Sequence, residues 1–363
     1  MPEALVIGGG LIGLLCARDL RKGGLDVTVV DRDQPGRQAS WASAGIITPR
    51  VPSSRSPGAL LNNLSVELWP TLAAELRDET GMDVEYRENG CLVPALDEEM
   101  ARRLRDELPY LRAAGVECEL VEGATLRAAE PALGPGVLAG QILPGGNVEN
   151  RRATRAAELA LERAGGKVRS GALVTGILER GGRVAGVRTI EGDLGADVVV
   201  LAAGSWSGRI AGANPLVPVV PQRGQILALH APGQVHRVIL KEDDPYLVPR
   251  VDGRVIVGAT REFAGYDRSN TAGGVAWLLN SAIEMAPGFA AAPIVDVWTG
   301  FRPYSVDGLP IVGRADVDGL FYATGHGPSG IGPAPGTAAL LAALVLGKQP
   351  PIPPEPFRPQ RFK

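Results

Sequence analysis

The first thirty residues alternate between apolar and polar segments in the manner typical of a βαβ unit. An apolar run over residues 4–7 predicts a buried strand, residues 14–20 predict a helix, and residues 26–31 predict a second strand. Three glycines in the pattern G-x-G-x-x-G stand between the first strand and the helix, and an acid ends the second strand. This order and spacing are typical of a dinucleotide-binding unit.

Each residue type in this unit has a physical role in holding a dinucleotide. Gly8 makes the tight turn, Gly10 lets the backbone approach a pyrophosphate, and Gly13 lets the helix pack against the strand. The N–H groups at the helix N-terminus attract the phosphates, and Asp31 is placed to accept hydrogen bonds from a ribose hydroxyl. The unit does not by itself distinguish NAD from FAD.

Further along the chain, three segments are predicted to extend the same sheet and its helical cover. Residues 150–165 predict a helix, residues 172–188 predict a hairpin that turns at two glycines, and residues 197–204 predict a buried strand. Ligands of open α/β sheets lie beyond the carboxyl ends of the strands, so Ala203 and Gly204 are expected beside the cofactor.

Two β-rich regions interrupt this pattern, over residues 85–144 and 217–302, and no internal repeat is visible. We expect them to form one substrate-binding domain built on a mostly antiparallel sheet. The nucleotide-binding domain then consists of residues 1–84, 145–216 and 303–363. The predicted fold class is α/β with a second domain, which suits a chain of 363 residues.

Composition and charge narrow the classes of function. The net charge of −3 and the lack of a Lys/Arg run argue against a nucleic-acid or anionic-membrane partner. Cys16, Cys91 and Cys118 lie far apart, which favours reduced thiols over a metal site or a disulfide. No basic segment precedes the first apolar run, and no eighteen-residue apolar stretch follows, so we expect a cytoplasmic protein without a membrane span. Homo-oligomer formation stays open.

The C-terminal region repeats the strand, glycine-rich loop and helix. Residues 320–324 predict a strand, residues 325–336 a loop with five glycines, and residues 337–346 a helix. FAD in extended form benefits from a second loop of this kind, which can stabilise negative charge on the reduced flavin, whereas a nicotinamide enzyme needs one such site. The proline-rich tail, residues 350–363, predicts an extended strap.

Five motifs resemble the D-amino acid oxidase superfamily of flavoproteins and, within it, the glycine oxidases tied to thiamine thiazole synthesis. They are GGGLIG…VVDR (8–32), the loop ASWASAGI (39–46), the strand VVVLAAGSWS (198–207), the run FRP…DGLPIVG (301–313) and GHGPSGI (325–331). The resemblance covers the whole chain. It implies a Rossmann-like FAD-binding domain and a mostly antiparallel substrate-binding domain.

The resemblance also implies roles for individual residues. Non-covalent FAD is expected on Gly8, Gly10, Leu11, Ile12, Gly13, Asp31, Arg32, Ala39, Ser40, Ala44, Gly45, Ile46, Val174, Ala203, Gly204, Gly325, His326, Gly327, Pro328, Ser329, Gly330 and Ile331. Arg302 and Tyr246 match the positions that hold the substrate carboxylate. The cysteines lie far from these loops in sequence, which argues against a thioether link to the flavin.

Chemistry supports the two substrate positions. Arg302 offers a planar and always charged fork for a carboxylate, and it lies just before a strand predicted to return to the cofactor domain. Tyr246 is a weaker candidate, since a strand tyrosine is often only packed. His326, in a glycine-rich loop, is better interpreted as a neighbour of the flavin than as a base. The loop carries Gly327-Pro-Ser329 where glycine oxidases have an arginine, which leaves Arg302 as the only expected anchor.

The implied reaction is oxidative deamination of a small amino acid: glycine, with sarcosine, D-alanine or D-proline as further substrates. Hydride passes from Cα to flavin N5, oxygen is reduced to hydrogen peroxide, and the imine hydrolyses. Three alternatives remain: a D-amino acid dehydrogenase that uses a non-oxygen acceptor, a nicotinamide-dependent dehydrogenase, and a non-catalytic flavin-binding redox protein. The second glycine loop argues against the nicotinamide enzyme. Residues 50–58 form either a lid or a plain linker.

Overall fold

A computed structural model describes residues 2–48, 50–240 and 245–363. Residues 1, 49 and 241–244 lie outside the described residues. They belong to the predicted domain ranges, and the last of them, Asp244, lies two residues before Tyr246. The strands are β1 (Glu3–Ile7), β2 (Asp26–Val30), β3 (Ile46–Ile47), β4 (Cys91–Ala95), β5 (Glu119–Glu122), β6 (Ala139–Leu143), β7 (Gly146–Asn147), β8 (Lys167–Arg169), β9 (Val174–Arg180), β10 (Arg183–Thr189), β11 (Gly192–Gly195), β12 (Val198–Leu201), β13 (Val219–His230), β14 (Val238–Ile239), β15 (Tyr246–Pro249), β16 (Arg254–Gly258), β17 (Ile294–Ser305), β18 (Ile311–Arg314) and β19 (Leu320–Thr324). The helices are α1 (Leu11–Lys22), α2 (Ala39–Ala42), α3 (Pro57–Thr80), α4 (Glu98–Ala113), α5 (Gly123–Ala129), α6 (Asn150–Arg163), α7 (Ala272–Met285) and α8 (Ala334–Val345).

The first layer is a six-stranded sheet in the order β18-β19-β12-β1-β2-β8. All its neighbouring strands run parallel except β18 and β19, which are antiparallel. One face packs on α1, α6 and α8, with α3 outside them, through a cluster that includes Leu14, Ala157 and Leu341. The βαβ unit predicted at the N-terminus and the predicted strand over 197–204 are both confirmed in this layer.

The predicted hairpin forms, but not in that sheet. Strands β9 and β10 pair with β11 in a separate three-stranded antiparallel sheet. Its apolar side chains, among them Val174 and Val187, pack on the other face of the parallel sheet, where Leu5 and Leu201 lie. The expectation that the hairpin extends the parallel sheet was therefore wrong. The small sheet instead covers a face that would otherwise be exposed.

An eight-stranded sheet makes up the second part of the molecule, in the order β17-β13-β16-β15-β14-β4-β6-β5. Every pair is antiparallel except β14 with β4. Its strands come from the two β-rich regions recognised in the sequence, as expected of a mostly antiparallel sheet. Strand β17 runs unbroken across the predicted domain boundary at residues 302 and 303, so that Arg302 lies within a long strand rather than just before one.

The C-terminal tail departs from the predicted strap. It forms two short 3-10 helices, Glu355–Phe357 and Pro359–Phe362. The reason is that Phe357 is fully buried and that the Arg361 guanidinium donates to the Asp307 carboxylate at 2.6 Å. These contacts hold the tail in turns against the protein.

Within the described ranges, no helix combines the length and apolar character needed to cross a membrane. The same residues contain no cluster of three or more His, Cys, Asp or Glu side chains suited to a metal ion. Of the cysteines, Cys16 and Cys91 are buried, Cys118 is half-buried, and all three are free thiols.

Candidate functional site

A cavity of about 690 Å³ lies between the parallel sheet and the eight-stranded sheet. Every residue predicted to contact FAD or substrate lines it except Gly325. Gly325 lies beside the cavity, where a Cβ would stand 3.1 Å from the Ile311 side chain. Residues that lie far apart in the sequence therefore line one cavity.

The turn between β1 and α1 requires its glycines for backbone contact. Gly8 has a φ of +109°, and a Cβ there would lie 2.4 Å from the Ala202 carbonyl oxygen. A Cβ on Gly13 would lie 2.0 Å from the Gly8 carbonyl oxygen. These approaches place α1 directly against the turn, so that its N-terminus faces the cavity.

Ser40 completes this N-terminus from another part of the chain. Its hydroxyl accepts a hydrogen bond of 2.9 Å from the Leu11 N–H, the first of α1. The next two N–H groups, on Ile12 and Gly13, have no acceptor within the helix, because the first turn of any helix lacks one. They line the cavity and suit a phosphate group.

Asp31 is held rigidly at the end of β2. Its carboxylate accepts from the Gly9 N–H at 2.7 Å through one oxygen and from the Asp33 N–H at 2.9 Å through the other. Burial raises the pKa of Asp31, and the two backbone hydrogen bonds oppose that rise. Each oxygen has a second lone pair, so the carboxylate can still accept from the hydroxyls of a ribose.

Arg32, predicted to contact FAD, lines the cavity and stacks on a tryptophan that the sequence did not link to it. Its guanidinium carbon lies 3.7 Å from the ring centre of Trp206, which follows the small residues after β12. The stacked pair lines the same end of the cavity as Asp31 and Val174. A flat surface of this kind suits an adenosine group.

A buried arginine fixes the loop that follows α2. Arg250 donates to the carbonyl oxygens of Ala44 and Val148 at 3.0 Å each and to the Asn150 side-chain oxygen at 2.8 Å. Gly45, with a φ of +67°, allows this packing, because its Cβ would lie 2.0 Å from the Val148 carbonyl oxygen. The sequence analysis missed Arg250, since nothing local marks an arginine whose acceptors lie a hundred residues away.

The C-terminal glycine-rich loop ends at α8, which begins at Ala334 rather than at the predicted residue 337. His326 is buried, and its Nε2 lies 2.9 Å from the Thr337 hydroxyl. Burial lowers the pKa of His326 to about 3, so the ring is neutral at ordinary pH. Its Nδ1 has no partner within the described residues although it is buried beside the cavity.

At the opposite end from Asp31, Arg302 and Tyr246 line the cavity together, and the guanidinium lies close enough to the phenol to favour its charged form. The Arg302 Nη1 donates to the carbonyl oxygens of Thr260 at 2.9 Å and Arg223 at 3.3 Å, which fixes the plane of the guanidinium. Burial lowers the pKa of Arg302 and raises that of Tyr246, while each side chain favours the charged form of the other.

Two glycines on neighbouring strands make room for this pair. A Cβ on Gly224 in β13 would lie 2.6 Å from Arg302 Nη2, and a Cβ on Gly258 in β16 would lie 2.6 Å from the Tyr246 hydroxyl. Both side chains therefore lie flat on the sheet, above positions that have no side chain of their own. This arrangement indicates a built platform for a ligand.

A second guanidinium at this end corrects one expectation from the sequence. Arg261, which follows β16, also lines the cavity, and its charge lowers the pKa of both Arg302 and Tyr246. Arg302 is therefore not the only arginine that lines this end of the cavity. The segment after β16 carried no motif, so only the folded arrangement reveals Arg261.

The cavity fits FAD in three respects. One end carries a helix N-terminus and a ribose-type carboxylate, the middle passes the loop around Gly45, and the other end carries a platform for a carboxylate. In addition, His326 lines the cavity, and its Nδ1 is a buried polar atom without a partner among the described residues. Buried polar atoms in proteins are nearly always hydrogen-bonded, so a bound ligand is expected to supply the partner.

Comparisons with known proteins agree with this geometry. The family model described as FAD dependent oxidoreductase matches residues 3–344. A glycine oxidase of Pseudomonas aeruginosa is 37% identical over 365 residues, covering 98% of each chain. The bifunctional protein ThiO/ThiG of Synechocystis sp. is 36% identical over 99% of this chain and 54% of its own length. The crystal structure of a glycine oxidase from Geobacillus kaustophilus matches with a TM-score of 0.92 at 30% identity, covering 99% of this chain and 98% of that one. The α/β fold with its nucleotide-binding sheet and the dependence on FAD are thus confirmed, and the chain belongs to the family of FAD-dependent oxidoreductases.

Proposed function

We propose that this enzyme binds FAD without a covalent link and oxidises small amino acids, with glycine as a main substrate. The single observation that carries the proposal is the platform of Arg302 and Tyr246 above Gly224 and Gly258. An enzyme that oxidises amino acids must anchor a carboxylate, and a flat, fixed guanidinium is the side chain best suited to do so.

The protein's contribution is orientation. The carbonyls of Thr260 and Arg223 hold the Arg302 guanidinium in one plane, so a bound carboxylate has one orientation. The Tyr246 hydroxyl offers a second polar group in the same part of the cavity. Fixing the substrate in this way lowers the entropic part of the barrier by up to about 7–11 kcal/mol in favourable cases.

When bound, FAD would accept the hydride that leaves the substrate Cα, and the reduced flavin would pass its two electrons to oxygen. For glycine the balanced reaction is glycine with oxygen and water giving glyoxylate, ammonia and hydrogen peroxide. No side chain of the platform needs to act as a base, because the amine lone pair assists loss of the hydride. The lowered pKa of His326 agrees with this, because a ring with a pKa of about 3 stays neutral near pH 7 and is a weak base there.

The proposal also includes three predictions made from the sequence. The residues named for FAD contact, the division into two domains and a cytoplasmic location belong to it. A role in thiamine thiazole synthesis is supported by the similarity to the bifunctional protein ThiO/ThiG. The absence of a Lys/Arg run and the net charge of −3 support a small-molecule partner rather than nucleic acid.

The decisive experiment is anaerobic mixing of the purified yellow protein with glycine, sarcosine, D-alanine and D-proline in turn, followed by air. We expect glycine to bleach the flavin absorption and air to restore it with one hydrogen peroxide per turnover. Bleaching that air does not reverse would identify a dehydrogenase. A flavin that none of the four bleaches would refute the proposal and leave a non-catalytic flavin protein.

A further inference from the structure

Two arginines rather than one line the substrate end of the cavity, and they come from different strands. Arg302 lies inside β17, whereas Arg261 follows β16, three residues beyond Gly258. Both lie close enough to Tyr246 to favour ionisation of its phenol. The one carboxylate among the described lining residues is Asp31, at the adenosine end.

The side chain of Arg261 is directed away from its neighbours in sequence. Thr260 and Glu262 hydrogen-bond to each other at 2.5 Å, and both contact Gln225. Glu262 also pairs with Arg223. Successive side chains in extended backbone point to opposite sides, so the residue between these two faces the cavity, where it is found.

The two guanidinium groups differ in setting. Arg302 is withdrawn from water and fixed by two carbonyls, as expected of a primary anchor. Arg261 is exposed at the mouth of the cavity. A glycine-sized ligand has one carboxylate and occupies one such fork. The second fork therefore lies where a substituent of a larger substrate would extend.

Building on the proposed function, we propose that Arg261 is a specificity-determining residue that binds a second carboxylate, so that this enzyme prefers amino acids or N-substituted glycines with two carboxylates. The loop at Gly327–Ser329, on the cavity wall, carries no charged side chain. The positive charge of the pocket thus enters from β16 rather than from that loop. A second carboxylate on the substrate then meets a guanidinium instead of water.

The test compares two substrates that differ by one carboxylate. Iminodiacetate is sarcosine with a carboxylate on its N-methyl carbon, and both would present the same glycine half to Arg302. We expect the holoenzyme to show a higher kcat/KM for iminodiacetate. Arg261→Met should lower that value by about 10- to 100-fold, the loss expected for one charge-assisted contact, and leave sarcosine within about twofold. Arg261→Lys should retain part of the preference, and Arg188→Met, an exposed arginine on β10, should change neither substrate.

A binding measurement separates recognition from turnover. Malonate and acetate, which the enzyme cannot oxidise, are titrated against the flavin absorption spectrum. Malonate should bind more tightly than acetate to the parent enzyme and equally weakly to Arg261→Met. An equal loss for sarcosine and iminodiacetate in Arg261→Met would overturn the proposal and make Arg261 a second anchor for the first carboxylate. Unchanged kinetics with both would also overturn it. Failure of the parent enzyme to oxidise any amine would instead refute the proposed function.

Discussion

At the scale of single residues, Arg302 combines two tasks that a substitution can separate. It anchors a ligand, and its Nη1 also holds the carbonyl oxygens of Thr260 and Arg223. A buried carbonyl that loses its donor costs free energy, so removal of Arg302 affects the fold locally as well as the substrate.

Arg302→Ala should lower kcat/KM for glycine by about 100-fold, mostly through KM, because the carboxylate loses a charge-assisted partner. FAD content should stay near one per chain, since the residue lies at the end of the cavity opposite Asp31. The measurement is steady-state kinetics together with the ratio of flavin to protein absorption. Arg302→Lys should recover part of the loss, and Arg188→Ala serves as control. Kinetics equal to those of the parent enzyme would remove Arg302 from the substrate site.

His326 gives a prediction about acid stability. Its pKa falls from an ordinary 6.5 to about 3 because it is buried, so the unfolded chain binds a proton that the folded chain does not bind between those values. The contribution is present above about pH 6.5 and is lost progressively as the pH falls towards 3. When the pH is lowered from about 7 to about 4.5, we expect the free energy of unfolding to fall less for His326→Gln than for the parent enzyme.

Urea unfolding at several pH values measures this difference. Carboxylates titrate in both proteins, so the comparison isolates the histidine. Parallel curves for the two proteins would show that the ring is charged or accessible in the folded state. The pH dependence of kcat should show no His326 ionisation near pH 6.5, because the folded pKa lies far below it.

At the scale of elements, the turn between β1 and α1 tolerates side chains unequally. Gly13→Ala would place a Cβ 2.0 Å from the Gly8 carbonyl oxygen, which cannot move without displacing the helix. Gly10→Ala would meet only the Ser40 hydroxyl at 3.3 Å, and that group can adjust. We expect Gly13→Ala to lower both the melting temperature and the FAD content. Gly10→Ala should keep the melting temperature of the apoprotein and lose FAD only through the pyrophosphate that its backbone is predicted to approach. Gly273→Ala, in α7 with open space around it, is the matched control. Equal retention in all three would refute the steric argument.

The elements also show what sequence could predict. The βαβ unit, the helix over 150–165 and the hairpin follow from local periodicity, and they were predicted correctly. The sheet to which β9 and β10 belong depends on pairing with β11 and on apolar packing across layers, which local pattern does not encode. The same holds for the tail, whose turns depend on the distant Asp307.

The candidate site divides in the same way. The glycine loops and Asp31 carry recognisable spacing, and they line one cavity together with Arg302 and Tyr246. Arg261 and the stacking of Arg32 on Trp206 were missed, because each depends on residues brought together only by the fold. Motifs identify the backbone that holds a cofactor, whereas the side chains that select a substrate come from segments without a motif.

At the scale of the whole molecule, Arg250 joins the two large sheets. It follows β15 of the eight-stranded sheet, and its guanidinium reaches Ala44, Val148 and Asn150 around the nucleotide-binding part. The Glu149 carboxylate lies 3.9 Å from its Nε. Burial lowers the pKa of Arg250, and Glu149 opposes that effect. Three buried acceptors therefore depend on one side chain.

Arg250→Met keeps an unbranched, mostly apolar side chain but removes every donor, so we expect the free energy of unfolding to fall by about 3–5 kcal/mol. The loop around Gly45 should loosen at the same time, because its anchor at Ala44 is lost, and FAD should dissociate more readily. Thermal unfolding with and without added FAD measures both effects, with Arg188→Met as the exposed control. Added FAD should recover part of the lost stability, since a ligand of the folded state stabilises it by mass action. A variant that loses stability but binds FAD as tightly as the parent enzyme would show that Arg250 joins the sheets without shaping the cavity between them.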